Sequence, residues 1–343
     1  NLQTLILCEC VYLTKLPEDM GNLINLRHLD ISGSGIQEMP LRMDNLISLH
    51  TLPEFIVGNA SGSGSGIGEL RNLLHLQGTL SISRLENVAN AWDARRANLK
   101  DKQDLNELMI EWSNNYESQN ERVDMDVLEM LQPHQKLEKV TVKCYGGTRF
   151  PTWIVDPSFS RLVSVSFIDC QRCMFLPSLG QLPSLKKLYI KGMTGIKSVG
   201  AEFYGNGPSI KPFPSLEILS FKEMLEWEDW SSFGGDEEFE GFSGLRELYI
   251  ERCPKLQKKL PDHLPSLTKL VIHESELLTS SLPRLPLLHE LDLRVCDEAL
   301  LGNALDLTLL ASLYIHSIPK VTYLPEGLIK WLTRLERLMI VDC

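Results

Sequence analysis

The sequence predicts an α/β repeat solenoid whose strands form a parallel sheet. A frame of leucine, two residues, leucine, one residue, then leucine or isoleucine returns about fourteen times along the 343 residues. Most copies close three residues later with cysteine, serine or another compact residue. Within each copy, apolar and polar residues alternate as in a strand with one buried face, so every copy predicts one short strand.

The copies follow one another at intervals of about 21 to 32 residues, a spacing typical of leucine-rich repeats. The clear copies begin at Leu2, Leu26, Leu105, Leu162, Leu185, Leu216, Leu245, Leu267, Leu288, Leu310 and Leu335, and slipped or substituted copies begin at Leu49, Leu76 and Leu137. We therefore expect a horseshoe with the parallel sheet on its concave face and irregular or short helical segments on its convex side.

Strand alternation also predicts which side chains are buried. In the copy that begins at Leu185, Leu188 and Ile190 point into the core. Lys187, Tyr189 and Lys191 point to solvent. The same register makes Leu248 a core residue and leaves Tyr249 on the open face.

We expect one continuous repeat domain over 1–343 with three irregular insertions. Residues 58–68 read as a Gly/Ser-rich loop. Residues 88–136 carry two predicted helices, 91–105 and 121–131, on the convex side. Residues 223–242 form an acidic stretch around Trp227 and Trp230, either a partner-binding loop or a solvated insertion over buried tryptophans. Because Asn1 is not Met and a repeat opens at Leu2, we also expect a fragment preceded by a folded part.

Composition argues against several functional classes. The net charge of -11 disfavours a general nucleic-acid binder, and no apolar run approaches the roughly 18 residues of a membrane span. Five cysteines occupy the closing position of the frame (Cys10, Cys170, Cys253, Cys296 and Cys343) and are predicted to be buried and reduced, which favours the cytoplasm or the nucleus. No phosphate-binding loop, metal-ligand set or hydrolase motif occurs, so we expect neither an enzyme nor a cofactor or metal site in this chain.

The open face of the sheet is therefore the predicted partner-binding surface. Tyrosine and tryptophan bury much area with few rotamers to restrict, and the strands also present basic and acidic side chains. The candidates drawn from the residue pattern are Trp112, Lys187, Tyr189, Lys191, Tyr249, Glu251, Arg294 and Tyr314.

Three stretches, 16–40 (LPEDMGNLINLRHLDISGSGIQEMP), 75–113 (beginning HLQGTLSISRLENV) and 178–205 (SLGQLPSLKKLYIKGMTGIKSVGAEFYG), are more distinctive than the bare frame. They resemble the leucine-rich-repeat region of plant intracellular immune receptors of the coiled-coil, nucleotide-binding type (NLR proteins). The resemblance implies a coiled-coil domain and a nucleotide-binding switch domain before Asn1, the latter holding ATP or ADP.

It also implies that the repeats hold the switch domain inactive and sense a pathogen- or pest-derived effector protein, directly or through a guarded host protein. Defence and local cell death then follow. By that analogy Arg27, His28 and Asp30 face the switch domain. The elicitor would meet Tyr249, Arg294 and Tyr314, together with His273 and Arg337.

Two other classes stay open at the level of sequence. A substrate-recognition solenoid of a ubiquitin ligase would show the same repeat behind an F-box. An extracellular receptor ectodomain would carry paired capping cysteines and several glycosylation sequons, whereas this chain has one, at Asn59.

Overall fold

The computed structural model describes residues 1–59, 66–115, 120–205, 211–231, 242–257, 259–301, 307–318 and 332–343. The chain divides into two compact units, Asn1–Ser164 and Val165–Cys343, and each is described by itself. The prediction of one domain over 1–343 stays a prediction.

The first unit is built on short parallel strands that follow the repeat frame. They are β1 (Thr4–Ile6), β2 (His28–Asp30), β3 (Glu54–Ile56), β4 (Gln77–Ser83), β5 (Asp104–Glu111) and β6 (Lys139–Lys143). β1 pairs with β2, and β3 to β6 pair in sequence order. The return segments are two helices, α1 (Ala91–Arg96) and α2 (Glu121–Met130), and the 3-10 turns Glu18–Asn22, Met43–Asn45, Ile67–Leu70, Leu85–Asn87, Leu99–Asp101 and Thr152–Val155.

The second unit repeats the plan with fewer helical segments. Its strands are β7 (Ser164–Ile168, whose first residue ends the first unit), β8 (Lys187–Lys191), β9 (Ser198–Val199), β10 (Ile218–Lys222), β11 (Asp229–Trp230), β12 (Glu247–Glu251), β13 (Lys269–Ser275), β14 (Glu290–Cys296), β15 (Ser312–His316) and β16 (Arg337–Val341). The main sheet has the order β7-β8-β10-β12-β13-β14-β15-β16, and β9 pairs separately with β11. Its short helical segments are α3 (Ala201–Tyr204), Leu179–Gln181 and Glu298–Leu301.

The predicted alternation of buried and exposed residues is confirmed. In β8 and β12 the two apolar residues of the frame are buried, and the residues on either side of them are partly or fully exposed. Leu248 has no exposed surface, whereas Tyr249 beside it is half-buried. Each such buried leucine contributes about 1.5 to 3 kcal/mol. A leucine-rich-repeat solenoid is therefore the fold.

The strand that follows the slipped copy at Leu76 pairs irregularly with its neighbour. Gly78 lies opposite Leu105, but Thr79 lies opposite Glu107, so the register of β4 and β5 shifts by one residue. Gly78 has φ +76°, a conformation that glycine adopts without a Cβ clash. The extra residue at this step lies in β5, at Asn106, and beyond it Leu80 pairs with Leu108 and Ile82 with Ile110.

A left-handed residue ends the strand segment in most repeats, just before the closing position of the frame. These residues, with φ between 48° and 68°, are Glu9, Gly33, Arg84, Cys144, Asp169, Gly192, Glu223, Arg252, Glu274, Val295, Ser317 and Asp342. The apolar alternation of the frame does not predict this turn. Outside glycine the conformation costs about 1 to 2 kcal/mol per residue.

The predicted helix 91–105 is wrong in length. The α-helix ends at Arg96 because Asn98 is left-handed, and a 3-10 turn leads into β5. The second predicted helix is confirmed as α2, whose N-cap Asn120 accepts a hydrogen bond from the amide of Val123. The other two insertions, 58–68 and 223–242, are described only in part, because residues 60–65 and 232–241 lie outside the described residues. Trp227 and Trp230 are buried.

In the described part of the chain, which includes all eight cysteines, no disulfide is formed. Cys170, Cys253 and Cys296 are buried as predicted, but Cys10 and Cys343 are exposed. These two follow β1 and β16, which have a neighbouring strand on one side only. Among the described residues, no group of three or more His, Cys, Asp and Glu is arranged to hold a metal ion.

Candidate partner-binding face of the repeat sheet

The strand register of the second unit brings the predicted tyrosines into one row. Tyr189 and Tyr249 lie on either side of Ser220, each directly opposite it across a strand pair. The row continues through Val271 and Asp292 to Tyr314. All three tyrosines are half-buried on the open face of the sheet.

Tyr249 is held in place by its neighbours. Its hydroxyl donates a hydrogen bond of 2.6 Å to Glu247 Oε2, and Lys269 Nζ lies 5.8 Å from the ring centroid. Burial and the hydrogen bond to Glu247 raise the pKa of the phenol above its ordinary value. The ring is therefore a fixed, neutral anchor with little rotamer entropy left to lose on binding.

A second fixed element of the face is centred on Asp292. Arg294 donates to both carboxylate oxygens through Nε and Nη2, at 2.9 and 2.8 Å. His273 Nε2 lies 3.2 Å from Oδ1. Burial alone would raise the pKa of Asp292, but the contacts with His273 and Arg294 outweigh it and hold the pKa at about 2. The bidentate pair fixes the plane of the guanidinium.

Further charges pair from strand to strand. Lys222 Nζ lies 3.0 Å from Glu251, and Lys191 Nζ lies 3.7 Å from Glu223. Lys187 and Arg337 are exposed and form no ion pair with the described part of the chain. The face thus combines paired charges with two unpaired cations.

Trp112 does not belong to this face, and its prediction is wrong. Its side chain is 1% exposed and its Nε1 donates a hydrogen bond of 3.0 Å to Asp124 Oδ1 of α2. The Tyr145 ring packs at 5.1 Å between centroids. Trp112 follows Leu108 and Ile110 at a spacing of two, so strand alternation itself places its side chain on their buried side.

In the first unit, the residues predicted to face the switch domain lie on and beside β2. Arg27 is exposed, His28 Nδ1 lies 3.0 Å from Thr51 Oγ1, and Asp30 accepts a hydrogen bond from the Ser32 amide. Burial, followed by the charges of Glu111 and Asp30, raises the pKa of Glu54. The carboxylates of Glu54, Glu111 and Asp30 therefore lie near one another on this part of the face.

Sequence reasoning missed Lys102, which is buried under the 3-10 turn at Ile67–Leu70. Its ammonium donates hydrogen bonds to the carbonyl oxygens of Leu70, at 2.7 Å, and Leu73, at 3.0 Å. Burial lowers its pKa from 10.5 to about 8, and Asp101 offsets part of that effect. The role of Lys102 is structural, since its ammonium satisfies buried backbone carbonyl groups. A lysine in a polar stretch of sequence gives no signal of burial.

Comparison with known proteins identifies the type of repeat. A family model described as R13L1/DRL21 LRRs matches residues 67–193. A protein of Arabidopsis thaliana named disease resistance RPP13-like protein 1 is 42% identical over 234 residues, which cover 64% of this chain. A protein of Solanum bulbocastanum named disease resistance protein RGA4 is 33% identical over 335 residues, 97% of this chain. The chain is a leucine-rich-repeat region of the plant NLR disease-resistance type.

This resistance-protein repeat region spans 22% of the length of the first relative and 31% of the second. Its fold is shared with a leucine-rich-repeat protein of Leptospira interrogans, with a TM-score of 0.51 and 18% identity over 95% of this chain and 81% of that one. Within the described residues, no helix is both long enough and apolar enough to cross a bilayer.

Proposed function

We propose that this repeat region is the sensor and autoinhibitory part of an intracellular plant immune receptor. It recognises a pathogen or pest effector protein, directly or through a guarded host protein, on the open face between β8 and β16. The row of Tyr189, Tyr249 and Tyr314 is the observation that carries this proposal, because rigid aromatic side chains at fixed spacing make good interface anchors.

Each predicted contact has a physical part in this proposal. Tyr189, Tyr249 and Tyr314 supply apolar area. Arg294, oriented by Asp292, supplies directed hydrogen-bond donors, and His273 packs against the same carboxylate. Lys187, Lys191, Glu251 and Arg337 set the charge around them and act mainly on the association rate.

The rest of the receptor supplies the response in this proposal. Arg27, His28 and Asp30 contact a switch domain that binds ATP or ADP, and a coiled-coil domain completes the protein in the cytoplasm or the nucleus. The chain itself has no catalytic role and needs no cofactor. Relatives with disease-resistance names support this assignment, since their sequences match 64% and 97% of this chain.

The test is a response assay with Tyr249→Ala and Tyr314→Ala combined. The receptor that carries this chain is expressed in leaf tissue with candidate effectors, and cell death is scored against the wild type. We expect the double variant to lose the response, because two anchors worth about 2 kcal/mol each lower affinity roughly a thousandfold.

Tyr12→Ala is the matched control, since Tyr12 is 96% exposed and lies outside the strands. It should respond as the wild type does. An undiminished response of the double variant, with equal protein level, would refute recognition on this face.

A further inference from the structure

An exposed aliphatic row lies along the rim of the first unit, where the strands begin. Ile24, Ile47 and Leu74 are 57%, 57% and 43% exposed. Each stands two residues before the first leucine of its repeat frame, in three consecutive repeats. Single exposed aliphatic residues are common, but a row of them in register is typical of a docking surface.

The repeat fold does not require apolar side chains at this position. The next three repeats of the same unit carry Gln103, Gln135 and Ser160 there, and all three are exposed. These repeats form their strands with a polar residue in the same place. Ile24, Ile47 and Leu74 therefore expose apolar area without a structural reason in this chain.

Stacked imidazole rings form one wall beside this row. The rings of His50 and His75 lie 6.1 Å apart with an interplanar angle of 21°, and His28 lies 6.3 Å from His50. His50 Nδ1 donates a hydrogen bond of 2.6 Å to the Ser48 carbonyl, which fixes its ring. Together with Arg27, Ile47 and Leu74, His50 and His75 line an open groove of about 580 Å³, named here the rim groove.

The charge of the rim groove is one-sided. Arg27 is exposed and forms no ion pair with the described part of the chain, and no carboxylate lines the groove. The neighbouring Asp44 is contacted by Asn72 of the groove, but Arg71 already pairs with it at 3.0 Å. The exposed guanidinium of Arg27 beside aliphatic side chains complements carboxylates beside aliphatic side chains.

We propose that the rim groove docks an amphipathic protein segment whose aliphatic side chains are flanked by Asp or Glu. The inference rests on the proposed contact at Arg27 and His28, and it adds the chemistry of the docking segment. Ile47 and Leu74 of the groove, with Ile24 of the preceding repeat, bury the aliphatic side of that segment. Arg27 pairs with its carboxylates.

The experiment uses two labelled helical peptides of about 18 residues, one of Leu and Glu and one of Leu and Lys in the same pattern. Fluorescence anisotropy measures their binding to the whole chain. We expect the Glu peptide to bind at least about tenfold more tightly than the Lys peptide. Equal affinity for the two peptides would overturn the proposal.

Two variants locate the binding. Ile24→Gln, Ile47→Gln and Leu74→Gln combined should weaken binding of the Glu peptide by about tenfold or more, and Arg27→Gln should reduce the preference for Glu over Lys. The triple variant should keep the melting temperature of the wild type, because glutamine occupies the same position in two repeats. If the triple variant does not fold, the effect of Arg27→Gln on the preference for the Glu peptide over the Lys peptide tests the proposal by itself.

The matched control is Leu277→Gln with Leu287→Gln, since these leucines are 45% and 42% exposed outside the groove. It should bind the Glu peptide normally, and an equal loss there would overturn the proposal. If the wild type forms dimers and the triple variant does not, the groove binds a second copy of this chain. That result would also overturn the proposal. Tyr249→Ala with Tyr314→Ala should leave peptide binding unchanged, so failure of effector recognition and failure of this inference are distinguishable.

Discussion

The buried ammonium of Lys102 gives this protein a defined dependence of stability on alkaline pH. Burial holds its pKa at about 8 in the folded chain, against 10.5 for an exposed lysine. Between these values the unfolded chain binds more protons than the folded one, so this group makes the free energy of unfolding rise with pH. Below pH 8 the full cost of burying the charge is present, and above pH 10.5 it is gone.

The size of the effect follows from the two pKa values. A difference of 2.5 units corresponds to about 3 kcal/mol, of which about 2.5 kcal/mol is recovered between pH 7 and pH 10. Burial raises the pKa of the Cys253 and Cys296 thiols to about 12, so these thiols ionise in this range only in the unfolded chain and also link stability to pH. The wild type must therefore be compared with a variant that differs at Lys102 alone. In Lys102→Met the proton-linked part is absent, while all other groups stay the same.

The assay is urea unfolding of the wild type and Lys102→Met at pH 7 and pH 10 under reducing conditions. We expect the wild type to gain about 2.5 kcal/mol relative to the variant over this interval. In the control Lys100→Met, at an exposed lysine two residues away, the free energy of unfolding should change with pH by the same amount as in the wild type. If the curves of the wild type and Lys102→Met are also parallel, the burial argument is refuted.

Two further predictions concern the second unit. Val295 is a β-branched residue held at φ 48°, a conformation that asparagine adopts more readily. Val295→Asn should therefore raise the free energy of unfolding by about 1 kcal/mol in a denaturant titration. Val295→Thr, which keeps the β-branch, should give no gain. The pKa of Asp292 in the folded chain is about 2, below its ordinary value of 3.8. The ionised carboxylate therefore stabilises the fold above about pH 4, and this contribution is lost as the pH falls towards 2. The difference in free energy of unfolding between the wild type and Asp292→Asn should therefore shrink between about pH 4 and pH 2. Acid unfolding followed by circular dichroism measures this difference. A constant difference would contradict the assigned pKa.

The sequence was sufficient to predict the elements that depend on local alternation. Leu188, Ile190 and Leu248 are buried because their direction follows from their place in a strand. The tyrosine row was equally accessible, since Tyr189 and Tyr249 occupy the same frame position and parallel pairing brings that position into line. Register within the frame therefore carries over into the shape of the candidate face.

What could not be predicted depends on contacts between distant residues. Trp112 turns towards Asp124 of α2, and Lys102 reaches carbonyl oxygens about 30 residues earlier. Alternation within one repeat contains neither contact. The bidentate pair of Asp292 and Arg294 depends on side-chain rotamers, although the two residues are only two positions apart. The left-handed turn had a signal, because Gly33 and Gly192 share one frame position.

The strand-to-strand ion pairs of the second unit have a consequence for how such a surface diversifies. Lys222 belongs to one repeat and Glu251 to the next, and Glu223 lies within reach of both Lys191 and Arg252. A substitution in one repeat therefore changes the charge that its neighbour presents, so the effects of substitutions in adjacent repeats should be non-additive. Variants of this face are then best compared as blocks of two or three neighbouring repeats, because a single residue moved into another background meets different partners.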